Sequence, residues 1–325
     1  MLSTSLHRWY LLIGCVGLMA ATSHAEQAGE NWPQKPIRIV VPLTAGGPSD
    51  ILLRPIAAQL QKILGQTVYV ENKPGANGGI GVADVVNAAP DGYTWLWTMD
   101  TPLTINPHIY TKTSYKKNEI KPVSIAANFS QFLVCHPQTG FKKLQDLKSS
   151  KKPVISYASG GSGSPGHMLM EAFLQQSRIL MTHVPYRGAP QAVQSLVGGQ
   201  VDCGFLAGPT VMPFIQNQRL TALATSGDSR SPLAPNVPTM AEAGLKNFEG
   251  NFWIFLAASE KVPLAIQKKM DAALRQVLQQ PDIHQKAQAQ DIVIRSGDTP
   301  AAEQKYADLY AYWQSLVQSV GLQVD

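Results

Sequence analysis

Short apolar runs alternate with amphipathic stretches along most of this chain. Residues 36–42 form one such run, bounded by prolines and apolar at most positions, as is typical of a strand buried on both faces of a sheet. Residues 49–64 then place apolar side chains three or four positions apart and are followed by Gly65, which predicts a helix and its end. The same order continues with a strand, a helix and a strand at 67–71, about 81–88 and 93–99. This βαβαβ series implies a parallel sheet with crossover helices.

The middle of the chain repeats this alternation, which predicts a second α/β lobe. Its strands are predicted at 132–135, 154–156 and 201–205, and its helices at 164–176 and 189–198. After residue 251, a strand at 252–257 precedes two helices, at 263–279 and about 300–320. The last helix has an apolar face made of Tyr306, Leu309, Tyr310, Trp313, Leu316 and Val317. The first lobe lacks enough helices of its own to cover its sheet, so this tail is expected to return to it.

These elements predict an α/β fold of two lobes, each a mostly parallel sheet flanked by helices. Lobe 1 comprises residues 26–130 and 251–325 in this prediction, and lobe 2 comprises residues 131–250. The chain then crosses between the lobes twice, near residues 130 and 250, and two crossings make a hinge.

The first 25 residues have the features of a secretory signal peptide. Arg8 lies in a short polar start, residues 11–21 form an apolar run, and small residues precede a cleavage point after Ala25. We therefore predict a periplasmic mature protein without a membrane anchor, because no later apolar run is long enough to span a bilayer. Residues 12–15 leave an alternative open, since they match a lipoprotein acceptor box that would place a lipid on Cys15.

Charge and cysteine content narrow the function further. The formal net charge of +5 becomes +4 once Arg8 is removed with the signal peptide. No basic stripe with interleaved aromatic residues occurs, so nucleic acid is not an expected partner. The histidines show no metal-ligand spacing, and neither a metal nor a cofactor is expected. An oxidising compartment permits a bridge between Cys135 and Cys203, but we favour two buried free thiols.

A set of short motifs follows in order from Trp32 to the C-terminus. They are 32–42, Gly46-Gly47 with Asp50, 70–76, 88–93, 105–107, 184–188, 198–202 and 237–244. In this order and spacing, the motifs together resemble the Bug-type solute receptors of tripartite tricarboxylate transporters. The resemblance implies a type II periplasmic-binding-protein fold, a ligand held between two closing lobes, and delivery of that ligand to a membrane permease.

The residues between the first predicted strand and helix suggest how an anion could be held. Residues 43–49 lie where free N–H groups and the helix dipole favour negative charge. Glycines there allow close approach of the backbone, and hydroxyl groups add donors. Asp50 either caps the helix or contacts a ligand ammonium group, and we favour capping. The candidate ligand-binding residues in this part are Thr44, Ala45, Gly46, Gly47, Ser49 and Asp50.

A second loop, 159–167, occupies the same position between strand and helix in the other lobe. Two such loops are expected to face each other across a cleft. Ser162 and Ser164 supply hydroxyl groups, and His167 lies in the first helical turn. The alternative is a flexible turn in which His167 packs locally, whereas the family resemblance implies that the Ser-rich loop and its His line the site.

Further candidates follow other predicted strands. They are Asp100, Thr101, Arg187, Gly188, Leu206 and Ala207. Arg187 could hold a carboxylate in a bidentate pair, although a surface salt bridge is the commoner role of a single arginine. The family often carries Asp-Asn where this chain has Leu206-Ala207. It usually carries Phe-Pro-Pro where this chain has Leu-Thr-Ala at residues 43–45. The first departure favours a more apolar organic acid over an amino acid, and both departures prevent a transfer of the family's substrates to this chain.

Enzyme signatures are weak in this sequence. Neither Ser162 nor Ser164 lies in a nucleophile elbow, and residues 75–81 do not have the spacing of a dinucleotide-binding loop. We therefore predict a monomeric, non-catalytic receptor whose partners are a small carboxylate ligand and a membrane permease of a tripartite transporter. Two alternatives are a serine hydrolase with an unrecognised triad that includes Ser162 or Ser164 and His167, and a sensor that signals to a membrane protein.

Overall fold

A computed structural model describes residues 31–246, 248 and 250–324. The predicted cleavage site after Ala25 and the alternative lipidation site at Cys15 lie outside the described residues. The strands are β1 (Ile37–Val41), β2 (Val68–Asn72), β3 (Thr94–Met99), β4 (Ile120–Phe129), β5 (Gln131–Cys135), β6 (Ser156–Ser159), β7 (Thr182–Pro185), β8 (Cys203–Ala207), β9 (Thr221–Thr225), β10 (Phe252–Ser259) and β11 (Val293–Gly297). The helices are α1 (Pro48–Leu64), α2 (Gly79–Val86), α3 (Thr101–Thr104), α4 (Asn106–Ile109), α5 (Leu144–Lys148), α6 (Pro165–Ser177), α7 (Ala189–Val197), α8 (Gly208–Gln216), α9 (Leu264–Leu278), α10 (Pro281–Gln288) and α11 (Thr299–Val320).

The strands form two sheets, and each sheet is the centre of one lobe. The six-stranded sheet of lobe 1 has the order β11-β4-β10-β3-β1-β2, and the five-stranded sheet of lobe 2 has the order β7-β6-β8-β5-β9. The chain passes from the first sheet to the second at Ser130, between β4 and β5, and returns between β9 and β10. The predicted two-lobed α/β fold is thereby confirmed.

Both sheets are mixed, and in each of them most strands run in one direction. β1 is parallel to β2 and β3, but β10 is antiparallel to β3 and β4, and β11 is antiparallel to β4. In lobe 2, β6 is parallel to β7 and β8, whereas β5 is antiparallel to β8 and β9. Four of the five antiparallel pairs arise where the chain enters a lobe from the other one, because β5 and β10 are inserted beside strands that run the opposite way.

The apolar run of β1 is buried on both faces of its sheet. Ile39 belongs to the core that includes Leu52 of α1 and Leu274 of α9, whereas the next residue, Val40, packs with Val82 of α2 and Tyr306 of α11. Since successive strand residues point to opposite faces, helices must cover both sides of the sheet. The C-terminal helices supply this cover for lobe 1.

Several elements differ from the pattern-based prediction. β6 and β8 begin two residues later than predicted, at Ser156 and Cys203. The prediction also omitted nine elements of the described chain: β4, β7, β9, β11, α3, α4, α5, α8 and α10. β4 is the most consequential omission, because it lies inside the lobe 1 sheet and leads directly into the crossing at Ser130.

Cys135 and Cys203 form a disulfide bond, which corrects the interpretation as free thiols. They are directly opposite each other on the antiparallel neighbours β5 and β8, and both are fully buried. The pairing register brings the two sulfur atoms together across 68 residues of sequence. Neither the register nor the adjacency of these strands could be deduced from local pattern.

Candidate ligand-binding cleft

Four helices begin at the edge of the cleft between the lobes. The helices α1, α6, α7 and α8 follow β1, β6, β7 and β8, and each has a proline in its first turn and no hydrogen bond from an N-cap side chain. First-turn N–H groups have no partner within a helix, and the helix dipole places partial positive charge there. Residues at the start of all four helices line one cavity, which therefore receives N–H donors and positive potential from two lobes.

We call the deeper part of this cleft the inner chamber. It has a volume of about 620 Å³, part of it open to solvent. Its lining consists of Leu43, Thr44, Gly47, Pro48, Ser49, Asn77, Met99, Phe129, Gln131, Gly160, Ser164, Pro165, Gly166, Gly188, Ala189, Phe205, Leu206 and Ala207, none of which is charged. Ser49 Oγ, Ser164 Oγ and Gln131 Oε1 are buried there without a hydrogen-bond partner. These three atoms are therefore available to hydrogen-bond a ligand or ordered water in the chamber.

The part of the cleft nearer to solvent is the outer vestibule. It has a volume of about 1200 Å³, including open solvent, and Arg187 is the one charged residue in its lining. Tyr110, Ser162 and Tyr186 also line it. The vestibule shares Leu43, Thr44, Asn77, Gly160 and Gly188 with the inner chamber, and we call these five residues the neck.

The two lobes touch at the neck. Asn77 Nδ2 of lobe 1 donates to the carbonyl of Gly163 in lobe 2 at 2.9 Å, and also to Asn106 Oδ1 at 2.8 Å. Gly188 has a φ of +105°, and a Cβ atom there would lie 2.6 Å from Thr44 Oγ1 of the opposite lobe. A side chain at position 188 would therefore press against Thr44 at the point where the two lobes are in contact.

Asp50 stabilises the loop that precedes α1 in lobe 1. Its carboxylate accepts from the N–H of Gly46 at 3.1 Å and from Arg54 at 3.0 and 2.8 Å. Burial raises the pKa of Asp50, but the hydrogen bonds from Arg54 and Gly46 outweigh it and hold the pKa below its ordinary 3.8. The carboxylate is thus neutralised by Arg54 and occupied by its own loop. It accepts from Gly46, which precedes α1, so it holds the loop without capping the helix.

His167 fastens the lobe 2 loop in the same way. Its Nδ1 accepts from the N–H of Gly163 at 3.0 Å, and its ring stacks on His183 with centroids 4.0 Å apart. Burial lowers the pKa of His167 to about 4; burial together with the nearby His167 lowers the pKa of His183 to about 4 as well. Both imidazoles are therefore neutral at pH 7, and for His167 the hydrogen bond from Gly163 requires an unprotonated Nδ1.

Most of the predicted candidates meet at this cleft. Thr44, Gly47, Ser49, Ser164, Gly188, Leu206 and Ala207 line the inner chamber, and Ser162 and Arg187 line the vestibule. Ala45 and Gly46 lie in the exposed part of the lobe 1 loop. The sequence analysis missed Asn77 and Gln131. One feature of the sequence could have identified Gln131: it is a polar residue at the start of an otherwise apolar strand, beside the predicted crossing.

Asp100 and Thr101 are not among the residues that line the inner chamber or the vestibule. Asp100 is fully buried, and its carboxyl group accepts from the N–H of Trp253 at 3.1 Å and from Trp313 Nε1 at 3.0 Å. Burial raises its pKa to about 7 although these hydrogen bonds act in the opposite direction. The cause is the insertion of β10 beside β3, which places Trp253 where an open strand end was expected.

The structure does not assemble the serine triad of the hydrolase alternative. Ser164 Oγ has no hydrogen-bond partner, and His167 Nδ1 is used by the N–H of Gly163. Ser159 Oγ does lie 2.6 Å from His183 Nε2, but Ser159 is fully buried and also bonded to Gly161. Among the described residues, no three His, Cys, Asp or Glu side chains are grouped to hold a metal ion. No helix of the described chain has the length and apolar character of a membrane span.

Comparison with known proteins agrees with this architecture. Residues 52–322 match the family described as tripartite tricarboxylate transporter family receptor. Protein BugT of Bordetella pertussis is 30% identical over 317 residues, covering 95% of this chain and 97% of BugT. The structure of the periplasmic binding protein BugD superposes with a TM-score of 0.84 at 27% identity, covering 90% of this chain and 99% of that one. MatC from Rhodopseudomonas palustris with bound malate gives 0.83 at 27% identity, covering 88% and 100%.

These relatives are binding proteins rather than enzymes, and their two-lobed fold is the one described above. The family match covers more than half of the chain. It includes the lobe 2 loop at 159–167 and begins after the lobe 1 loop at 43–49. The chain belongs to the receptor family of the tripartite tricarboxylate transporters.

Proposed function

We propose that this protein is a periplasmic receptor that captures a small organic acid in the inner chamber and delivers it to the membrane permease of a tripartite transporter. One observation carries the proposal: four uncapped helix N-termini and three unpartnered polar atoms surround an uncharged cavity between the lobes. Such a site favours the binding of an anion even though no basic side chain lines it. The malate bound to the related MatC supports a carboxylate as that anion.

In the proposed complex, the carboxylate lies between the start of α1 in lobe 1 and the start of α6 in lobe 2. Ser49 Oγ and Ser164 Oγ donate to it, together with first-turn N–H groups. A single carboxylate thereby receives hydrogen bonds from both lobes. Ligand and closed conformation stabilise each other, because the ligand makes its full set of contacts only when the lobes approach.

Closure uses the hinge at Ser130 and the second crossing between β9 and β10. The contacts between Asn77 and Gly163, and between Thr44 and Gly188, then form at the neck and separate the inner chamber from the vestibule. We propose that the permease recognises this closed form, that the receptor acts as a monomer, and that the mature chain begins after Ala25.

A ligand screen on the protein purified from the periplasm, with a neck variant, tests this function. Titration calorimetry against aliphatic, aromatic and amino-substituted acids should find a micromolar or tighter ligand that is recovered unchanged. Gly188→Ala should weaken its binding at least about ten-fold, because the added methyl group meets Thr44 and opposes closure. Gly140→Ala is the matched control: its φ is +75° but its surroundings are open, so it should lower stability and leave affinity unchanged.

Three results would contradict the proposal. If the folded protein, free of retained ligand, binds no acid, its ligand is not a carboxylate. Chemical conversion of the bound acid would favour an enzyme. If the Gly188→Ala and Gly140→Ala variants bind the ligand with equal affinity, closure of the lobes does not contribute to binding.

A further inference from the structure

The lining of the inner chamber combines polar groups with apolar side chains. The polar groups are Ser49, Ser164 and the helix N-termini. The apolar side chains, which we call the floor, lie at strand ends. The floor consists of Met99, Phe129, Phe205, Leu206 and Ala207, which are at most 7% exposed.

The side chains of the floor carry no charge. Ala207 precedes α8, which offers only the partial charge of a helix N-terminus, and the neighbouring Gln131 has an amide that hydrogen-bonds without carrying charge. Arg187 lines the vestibule on the far side of the neck and is not part of the chamber lining. A negatively charged group at the floor would therefore be buried among apolar side chains without a cation.

We propose that the ligand is a monocarboxylate with an apolar body. Its carboxylate binds the helix N-termini and the two serine hydroxyls, and its body covers the floor. This inference rests on the proposed function and sharpens it. A second carboxylate at the far end of the ligand would lose its water shell at the floor and gain no ion pair, which strongly disfavours dicarboxylates.

Pairs of acids with equal chain length test this preference: butanoate with succinate, hexanoate with adipate, and octanoate with suberate. In titration calorimetry of the purified protein, the monocarboxylate of each pair that binds should be at least about ten-fold tighter than its dicarboxylate. A dicarboxylate that binds as tightly or more tightly overturns this inference and leaves the proposed function standing. The inference also fails if none of the monocarboxylates binds while another acid of the wider screen does. Failure of every acid overturns the proposed function itself.

A substitution at the floor tests the position of the apolar body. Ala207→Leu fills part of the chamber, and it should weaken octanoate at least about ten-fold and butanoate no more than about two-fold. Ala241→Leu makes the same change on an exposed turn of the same lobe and should alter neither affinity. Unchanged binding of octanoate by Ala207→Leu would place the apolar body elsewhere and overturn the inference. Circular dichroism of both variants verifies that each is folded.

Discussion

The two loops that face each other across the inner chamber are built alike but fastened differently. In each, a glycine N–H donates to a side chain four residues later, in the first turn of the following helix: Gly46 to Asp50 and Gly163 to His167. Asp50 is a carboxylate paired with Arg54, which is more than half exposed. His167 is a buried, neutral imidazole stacked on His183. One backbone shape is thus stabilised by a charged acceptor in lobe 1 and an uncharged acceptor in lobe 2.

Because of this difference, the two loops lose these stabilising side-chain contacts at different pH values. The pKa of Asp50 lies below 3.8, so its contribution to stability is present above pH 3.8 and is lost as the pH falls further. His167 and His183 have pKa values of about 4 in the folded protein and 6.5 ordinarily. Between these values the unfolded chain binds protons that the folded chain excludes, so their contribution decreases as the pH falls below 6.5. Acid therefore loosens the lobe 2 loop first.

The largest expected effect is this acid sensitivity of lobe 2. Each histidine should lower the free energy of unfolding by up to about 1.4 kcal/mol per pH unit between pH 6.5 and about 4. Asp100 and Asp291 act in the opposite sense, because burial raises their pKa values to about 7 and about 6. The difference between wild type and the His167→Gln, His183→Gln double variant isolates the histidines. Urea unfolding at half-unit steps from pH 7 to pH 4 measures it.

The exposed His284 provides the control for the acid experiment. His284→Gln should follow the wild-type pH profile, whereas the double variant should lose less stability towards pH 4. The environment of the pair includes Tyr157, whose hydroxyl donates to Glu171 at 2.6 Å, and Glu171 itself, 3.6 Å from His167 Nε2. Parallel profiles for wild type and double variant would show that this environment does not hold the histidines neutral.

A smaller effect is expected from the anchor of lobe 1. Asp50→Asn removes the charge that accepts from Arg54 and Gly46, and it should cost about 1–2 kcal/mol of stability, since Arg54 is largely exposed to water. It should also weaken ligand binding, because the loop that precedes α1 is then less well held. Asp298 is a matched control: it caps α11 by accepting from Ala301, away from the cleft. Asp298→Asn should lower stability in urea unfolding without changing affinity, and equal affinities of the two variants would contradict a role for Asp50 in the site.

The strand, loop and helix around each anchor could be predicted because their signals are local. The apolar run of β1, the glycines after it and the periodicity of α1 lie within one short segment, and β6 and α6 repeat the pattern. Asp50 was predicted to cap α1 on the same local grounds, whereas it holds the preceding loop through Gly46. Contacts between distant segments could not be predicted: His183 reaches His167 from β7, and Trp253 of β10 takes the carboxyl group of Asp100. The bond between Cys135 and Cys203 likewise depends on a strand register that no local pattern encodes.

The smallest expected effect compares the hydroxyl that each loop presents to the ligand. Ser49→Ala and Ser164→Ala should each weaken ligand binding by about 0.5–1.5 kcal/mol, or roughly two- to twelve-fold in Kd, because each removes one neutral hydrogen bond. Neither should destabilise the ligand-free protein, since each removes a buried hydroxyl that has no partner there. Ser162→Ala alters the vestibule and should have a smaller effect on affinity. If Ser49 and Ser164 donate to one carboxylate, their double variant should depart from additivity, as interacting sites do. Strict additivity, measured by calorimetry, would mean that the loops hold different groups of the ligand.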